Sequence, residues 1–156
     1  MRPDPVPERP HLACIVADLR LALIALREAA AAGATLELWS PPDGARSLGV
    51  GYWAALDRAI AKAAEPGGTA TVLDCGAAPG FALSAFREGL RNVHVAVRAD
   101  VREKLASIAE RCGGALHPGP PPELDLRDRL DPAASCRFAL QNRGGRTGAA
   151  DADNRS

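Results

Sequence analysis

Short runs of aliphatic and β-branched residues alternate along this chain with longer stretches in which apolar side chains recur every three or four positions. HLACIVA (11–17), TLELW (35–39), TATVLDC (69–75) and VHVAV (93–97) have the length and composition of strands, and ALH (115–117) is a shorter fifth. Between them the helical period takes over. LRLALIALREAAAAG follows Asp18, an N-cap residue type, and stops at Gly33. A second helical stretch runs from about Tyr52 to Glu65 and is stopped by Pro66-Gly67-Gly68; a third, PGFALSAFREGL, opens at Pro79. Asp100 and Glu103 have the spacing of a capping box before VREKLASIAERC, which ends at Gly113.

Four strand-to-helix repeats with Gly or Pro at the switches predict crossover units. They imply a three-layer α/β sandwich with a mainly parallel sheet of four or five strands, covered by helices on both faces. VLDC and VHVAV are apolar on both sides, as buried parallel strands are. Such a sheet presents its usable loops at the carboxyl ends of the strands: Ala17-Asp18, Ser40 to Gly51, Asp74 to Gly80, and Arg98 to Asp100. Strand order is not legible here. Leu124, Leu126 and Leu130 have mixed spacing that leaves a short helix, an edge strand, or both open. Residues 1–10 are Pro-rich and polar, and 141–156 lack any large apolar group, so a single domain over 11–140 is expected between a flexible N-terminal segment and a disordered tail.

Composition narrows the function classes. The formal charge is zero, with 19 basic and 19 acidic residues, so no broad electrostatic footprint for nucleic acid or an anionic membrane is present. Lys62 and Lys104 are the only lysines, and the Arg and Ala bias reads as a coding preference. The arginines of NRGGRTG (142–148) have no interleaved aromatics, so a plain tail is expected there. No window approaches a membrane span, and prolines stand where a signal segment would be apolar. Cys14, Cys75, Cys112 and Cys136 form no C-x-x-C pair, and with His11, His94 and His117 they show no metal-ligand spacing. The set suits a reducing cytoplasm, and neither a metal nor a cofactor is expected.

The segment VLDCGAAPGF (72–81) is the stretch closest to chemistry. Asp74 ends a strand, Gly76 lets the backbone turn tightly and approach a ligand, and Pro79 and Gly80 open a helix whose amides face an acceptor. Asp74, Gly76, Ala77, Ala78, Pro79 and Gly80 match the D-L-G-A-A-P-G form of motif I, and the window resembles that of S-adenosylmethionine-dependent methyltransferases, especially RNA 2'-O-methyltransferases. The resemblance implies a glycine turn around the methionine part of the cofactor and an acid at the end of the next strand, here Asp100, on its ribose. Cys75 departs from the motif, and the Lys-Asp-Lys-Glu set of the RNA enzymes has no counterpart. Only 82 residues follow Asp74, few for the remaining strands of a methyltransferase core. The whole layout also resembles small Ala- and Arg-rich α/β proteins of high-GC proteobacteria, which carries no activity across.

Other residues at the strand ends complete a candidate list for a small anionic ligand: Asp18, Ser40, Asp43, Arg46, Asp74, Cys75, Gly76, Gly80 and Arg98. Arg46, in the glycine-rich loop SPPDGARSLGVG, suits an anionic group. The alternative there is an Asp43-Gly44 turn, one helical turn over 45–48, and Tyr52 with Trp53 as the packing start of the next helix. Cys75 is either a thiol activated by nearby amides or a buried inert one. His94, inside an apolar strand, reads as a satisfied histidine of the core or between layers. On the first helix Leu19, Ala22, Leu23, Leu26 and Ala30 form the stripe expected against the sheet. Leu21 and Ile24 then fall on its charged side, to be covered either by another part of the chain or by a second subunit. The expected function is therefore a structural, interaction or small-ligand-binding role, with a methyltransferase or other small-molecule enzyme as the alternative. Whether the domain catalyses anything is left open by these residues.

Overall fold

The computed structural model describes residues 2–4 and 6–144. The elements are β1 (His11–Ile15), α1 (Leu19–Ala31), β2 (Thr35–Trp39), α2 (Gly44–Ser47), α3 (Val50–Ala63), β3 (Thr69–Asp74), α4 (Pro79–Arg87), β4 (Asn92–His94), α5 (Ala99–Arg111), β5 (Ala115–Leu116) and α6 (Pro132–Gly144). All five strands lie parallel in the sequential order β1-β2-β3-β4-β5. His11 is level with Thr35, Leu36 with Thr69, Leu73 with Val93, and Asn92 with Ala115. The α/β class and the parallel sheet are those the sequence implies.

Sequential order has a geometric consequence. Crossovers of one hand that always step to the next strand place every crossover helix on the same face. The helices accordingly form one layer in which neighbours touch in the order α6, α1, α3, α4, α5. Leu12, Cys14, Leu36, Leu38, Leu73 and Val93 point into that layer and join Leu21, Ala22, Ala25, Trp53, Ile60, Ala82, Phe86 and Leu105 in the main core. Small side chains on α1, Ala22, Ala25 and Ala29, let the helix sit close to the strands. Thr71 on β3 donates to Asp57 on α3 at 2.6 Å, which fixes that helix along the sheet.

The third layer is built by the chain after β5. Ile15, Trp39 and Val72 make a separate apolar cluster on the face turned away from the helices. His117 and the prolines that follow cross this face to β1, where the Ile15 N–H donates to the Leu124 carbonyl at 2.8 Å and the Leu126 N–H to the Ile15 carbonyl at 3.0 Å. Asp125 thus forms a parallel bridge on the free edge of β1, so the stretch open between helix and edge strand contains both, the bridge and then α6.

The strap is held by polar contacts around Glu37. Its carboxylate accepts from the Trp39 indole N–H and from His117 Nε2 at 3.1 Å. The Gly119 N–H donates to His117 Nδ1 at 2.9 Å, so Nε2 is the ring nitrogen that donates to Glu37. The buried Trp39 ring meets His117 edge-on at 4.8 Å between centroids, and His94 at 5.3 Å.

Local expectations shift in three places. On α1 the buried set is Leu21, Ala22, Ala25 and Ala29, while Leu19 and Leu23 are 39% and 38% exposed. The stripe is rotated because α6 packs on α1, with Arg137 paired to Glu28 at 3.0 Å. Leu21, 3% exposed, is covered by its own chain, and Ile24 is half-buried, so the surface read as a subunit contact is not the exposed one. Second, α5 begins at Ala99 with Arg98 at the N-cap, and Asp100 sits in its first turn and makes no capping box. Third, α6 runs to Gly144, past the expected domain end at 140. The rest of the expected tail, 145–156, lies outside the described residues. At the other end, Arg9 and Pro10 of the expected flexible segment are tied to Gly33 and Thr35 by hydrogen bonds of 3.3 and 2.8 Å.

Gly119 is the tightest point of the strap. Its φ is +71°, and a Cβ there would lie 2.7 Å from His94 Cε1. Gly119→Ala should destabilise the protein by about 1–3 kcal/mol in urea unfolding, through backbone strain and displacement of His94. An unchanged midpoint would show that the strap does not press on the sheet.

Candidate functional site

The strand-end residues fall into two groups and one outlier. The outlier is Asp18, which follows β1 and accepts the Leu21 N–H at 2.8 Å as the N-cap of α1. Its carboxylate is engaged in helix capping. Beside it the Tyr52 hydroxyl donates to the Ala17 carbonyl at 2.7 Å, closing the end of β1 against α3.

The first group is a polar knot at the end of β3. Buried Ser40, just past β2, accepts the Asp74 N–H on its Oγ at 2.9 Å and donates to the Pro41 carbonyl at 3.1 Å. Asp74, also buried, accepts the Gly76 N–H at 2.7 Å. Gly76 has φ +57°, and its carbonyl accepts the Ala96 N–H at 2.8 Å, which extends the pairing of the two strand ends beyond β4. Asp43 stands directly over it: a Cβ on Gly76 would lie 2.6 Å from Asp43 Oδ1. Asp43 is the one non-glycine residue with positive φ, +54°, among those described. Its other oxygen pairs with Arg46 Nε at 3.0 Å, and the Arg46 guanidinium lies 5.4 Å from the centre of the Phe81 ring on α4. The single helical turn expected over 45–48 is α2, and the knot binds it to β3 and α4.

Cys75 belongs to the core beneath this knot. Its side chain is fully buried in the helix-side cluster. Burial pushes its thiol up to about 12, and the carboxylates of Asp74 and Asp43 add to the shift. Loss of solvation and two nearby negative charges both oppose ionisation of this thiol, the environment of the inert alternative.

The second group surrounds an open hollow of about 550 Å³ between the amino ends of α4 and α5, lined by Ala77, Pro79, Ala96, Val97, Arg98 and Val101. Ala78, the N-cap of α4, makes no side-chain cap bond, and neither does Arg98 at α5. Gly80 faces open space, with nothing within 4 Å of the position of a Cβ. Exposed Arg98 reaches Asp100 at 3.1 Å. The structure therefore gathers Ser40, Asp43, Arg46, Asp74 and Gly76 in one place and puts Arg98 on the hollow, while Gly80 is exposed in the first turn of α4 and is not part of its lining.

A further polar cluster was not singled out from the sequence as a site. Glu37, with its partners Trp39 and His117, lies on the strap side, where Glu37 also lines a groove of about 600 Å³ together with His11, Pro121, Arg129, Phe138 and Arg143. His94 fits its expected role, contacting Trp39 and the His117 carbonyl between layers. The period-two alternation of TLELW, which puts Glu37 on the same face as Trp39, is the signal that marks this carboxylate.

No group of His, Cys, Asp and Glu side chains able to hold a metal ion occurs among the described residues, and none of their helices is long and apolar enough to cross a membrane. Compared with known proteins, the chain matches no family model, no curated protein and no solved structure.

Two measurements check the knot. Ser40→Ala leaves the buried Asp74 N–H without its acceptor and should cost about 1–3 kcal/mol in chemical unfolding. A variant as stable as the parent would show that the Ser40 bond contributes little. Alkylation of the native protein with iodoacetamide at pH 8 should label the exposed Cys112 and spare Cys75, whose folded thiol ionises only near pH 12. Peptide mapping that finds Cys75 labelled first would contradict its burial.

Proposed function

We propose that this protein is a small-ligand-binding α/β domain that takes a compact anionic compound with an apolar body into the hollow between α4 and α5. The observation that carries the proposal is the convergence of two helix amino ends without side-chain caps, beside one guanidinium and an apolar floor. Helix amino ends present unpaired N–H groups and the positive end of the helix dipole. Arg98 brings a guanidinium to the rim, where Asp100 pairs with it at 3.1 Å, and Ala96, Val97 and Val101 offer apolar contact. The open space at Gly80 leaves the first turn of α4 approachable. The location is also the one expected of ligands on parallel sheets, outside the carboxyl ends of the strands.

The resemblance of 74–80 to motif I of S-adenosylmethionine-dependent methyltransferases supports a second reading, with a different place for the ligand. β4 lies directly beside β3, so the strand, glycine turn, helix and next strand have the connectivity that the family uses. Its ligand would lie over Gly76, where the Asp43 carboxylate now stands, so binding requires that side chain to leave.

Amide NMR titration separates the two. With phenyl phosphate as the probe, the amides of Ala77, Gly80 and Phe81 and of 99–101 should shift saturably, at lower concentrations than with inorganic phosphate. Arg98→Ala should weaken the phenyl phosphate affinity about tenfold, which corresponds to about 1.4 kcal/mol. Absence of saturable shifts at millimolar probe would remove the ligand site. S-adenosylmethionine is expected to cause no shifts tighter than about millimolar. Micromolar binding centred on Asp43 and Gly76 and lost in Gly76→Val would favour the methyltransferase reading instead.

A further inference from the structure

The corner where the strap leaves β5 is held by one imidazole with a different partner on each nitrogen. His117 Nε2 donates to the Glu37 carboxylate at 3.1 Å, and Nδ1 accepts the Gly119 N–H at 2.9 Å. The His117 N–H itself donates to the Val93 carbonyl at 2.7 Å, which ties the backbone before the corner to β4. After it the chain reads Pro118, Gly119, Pro120, Pro121, Pro122, so Gly119 carries the only main-chain N–H between His117 and Glu123. That one donor is spent on His117. We propose that His117 is a proton-operated latch: with Nδ1 unprotonated it holds the Gly119 corner of the strap, and a proton taken up at Nδ1 releases that corner while Glu37 keeps the ring on β2.

The two nitrogens answer a proton in opposite ways. Nδ1 accepts through its lone pair, and once protonated it becomes a donor facing the Gly119 N–H, so that bond is lost. The bond from Nε2 to Glu37 survives and gains charge assistance. The ring therefore stays in place in both states, and only the chain beyond it is freed. The proton has a direct route, because the side chains of His117 and Glu37 are each 21% exposed and no element has to open first.

The groups around the ring favour this division. Glu37 on β2 is the anion that a cationic His117 meets. His94 on β4 has Nδ1 3.3 Å from the His117 carbonyl, and both rings pack on Trp39. Asp74 of β3, level with His94, already accepts the Gly76 N–H. Further off, along the groove that Glu37 lines, stand His11 of β1, Glu123 and Arg129 after the prolines, and Arg143 of α6. Gly119 also presses on the His94 ring, where a Cβ would come within 2.7 Å of Cε1, so the corner is a close fit that the amide bond maintains. Pro120, Pro121 and Pro122 wall the same groove of about 600 Å³, and the state of His117 sets where that wall stands.

The test is an NMR titration of the full chain from about pH 8 to pH 5, the range in which imidazoles take up a proton. The imidazole signals of His11, His94 and His117 are followed together with the Gly119 amide and its exchange protection factor, which removes the intrinsic effect of pH on exchange. The expected result is that the Gly119 amide shifts with the same midpoint as His117 and loses about tenfold in protection, as for one broken hydrogen bond, while the Trp39 indole N–H on Glu37 keeps its protection. His117→Asn carries an acceptor oxygen in place of Nδ1 and takes up no proton in this range, so its Gly119 amide should stay protected throughout. His94→Asn should leave the Gly119 step in place. Should either variant fail to fold, the parent decides, because its Gly119 step either follows His117 or does not. A His117 ring that keeps one protonation state over the range, a Gly119 amide indifferent to His117, the same pH response in His117→Asn, or its loss in His94→Asn would each overturn the proposal.

Discussion

A carboxylate in the middle of a sheet face that no crossover helix covers, Glu37, is the contact on which the strap side of the fold depends. Parallel strands taken in sequential order gather their crossover helices on one side, and the opposite face needs another cover. Here the chain after β5 supplies it. Glu37 receives the Trp39 indole N–H and the His117 imidazole, so three half-buried or buried polar groups satisfy one another, and burying them is not prohibitive. The Gly119 amide then holds the His117 ring, and the strap leaves that point committed to a path across Val72, Trp39 and Ile15 to the free edge of β1.

The carboxyl ends of the strands show how internal satisfaction displaces a potential site. Ser40, Asp74 and Gly76 bond one another, and Asp43 occupies the space above Gly76 at the cost of a left-handed backbone. A motif that looks like a ligand turn in the sequence is thus, in this fold, also the anchor of its neighbouring loop. The unoccupied geometry lies one step further along, between α4 and α5, where helix amino ends and Arg98 meet apolar side chains.

Much of the fold was legible, for local reasons. The strand over 35–39, the cap at Asp18, the helix opening at Pro79 and the turns at Gly33, Gly76 and Gly113 follow from side-chain periodicity and backbone preferences within a few residues. The buried face of α1 differs from the stripe that periodicity alone implies, because a 3.6-residue period locates an apolar arc but does not say which neighbour meets which part of it. Leu21 is inside, on a helix that α6, more than a hundred residues later, packs against. Asp100 and Glu103 have capping-box spacing, yet the helix starts earlier at Ala99 and leaves both carboxylates inside it. At the site, Asp74, Gly76, Gly80 and Arg98 were visible as strand-end residues, whereas their separation into a closed knot and an open hollow depended on where Asp43 came to rest.

By itself, then, the sequence determined the succession of strands and helices, the parallel character of the sheet and the residues available at its carboxyl end, because short-range periodicity and turn chemistry specify these. Only the tertiary structure decided the strand order, the single helix layer, the strap pinned to Glu37 and the carboxylate over Gly76. Each of those joins residues far apart in the chain. Their pairing is selected by packing and by the satisfaction of buried polar groups across the whole molecule, and no local pattern encodes which distant partner will win.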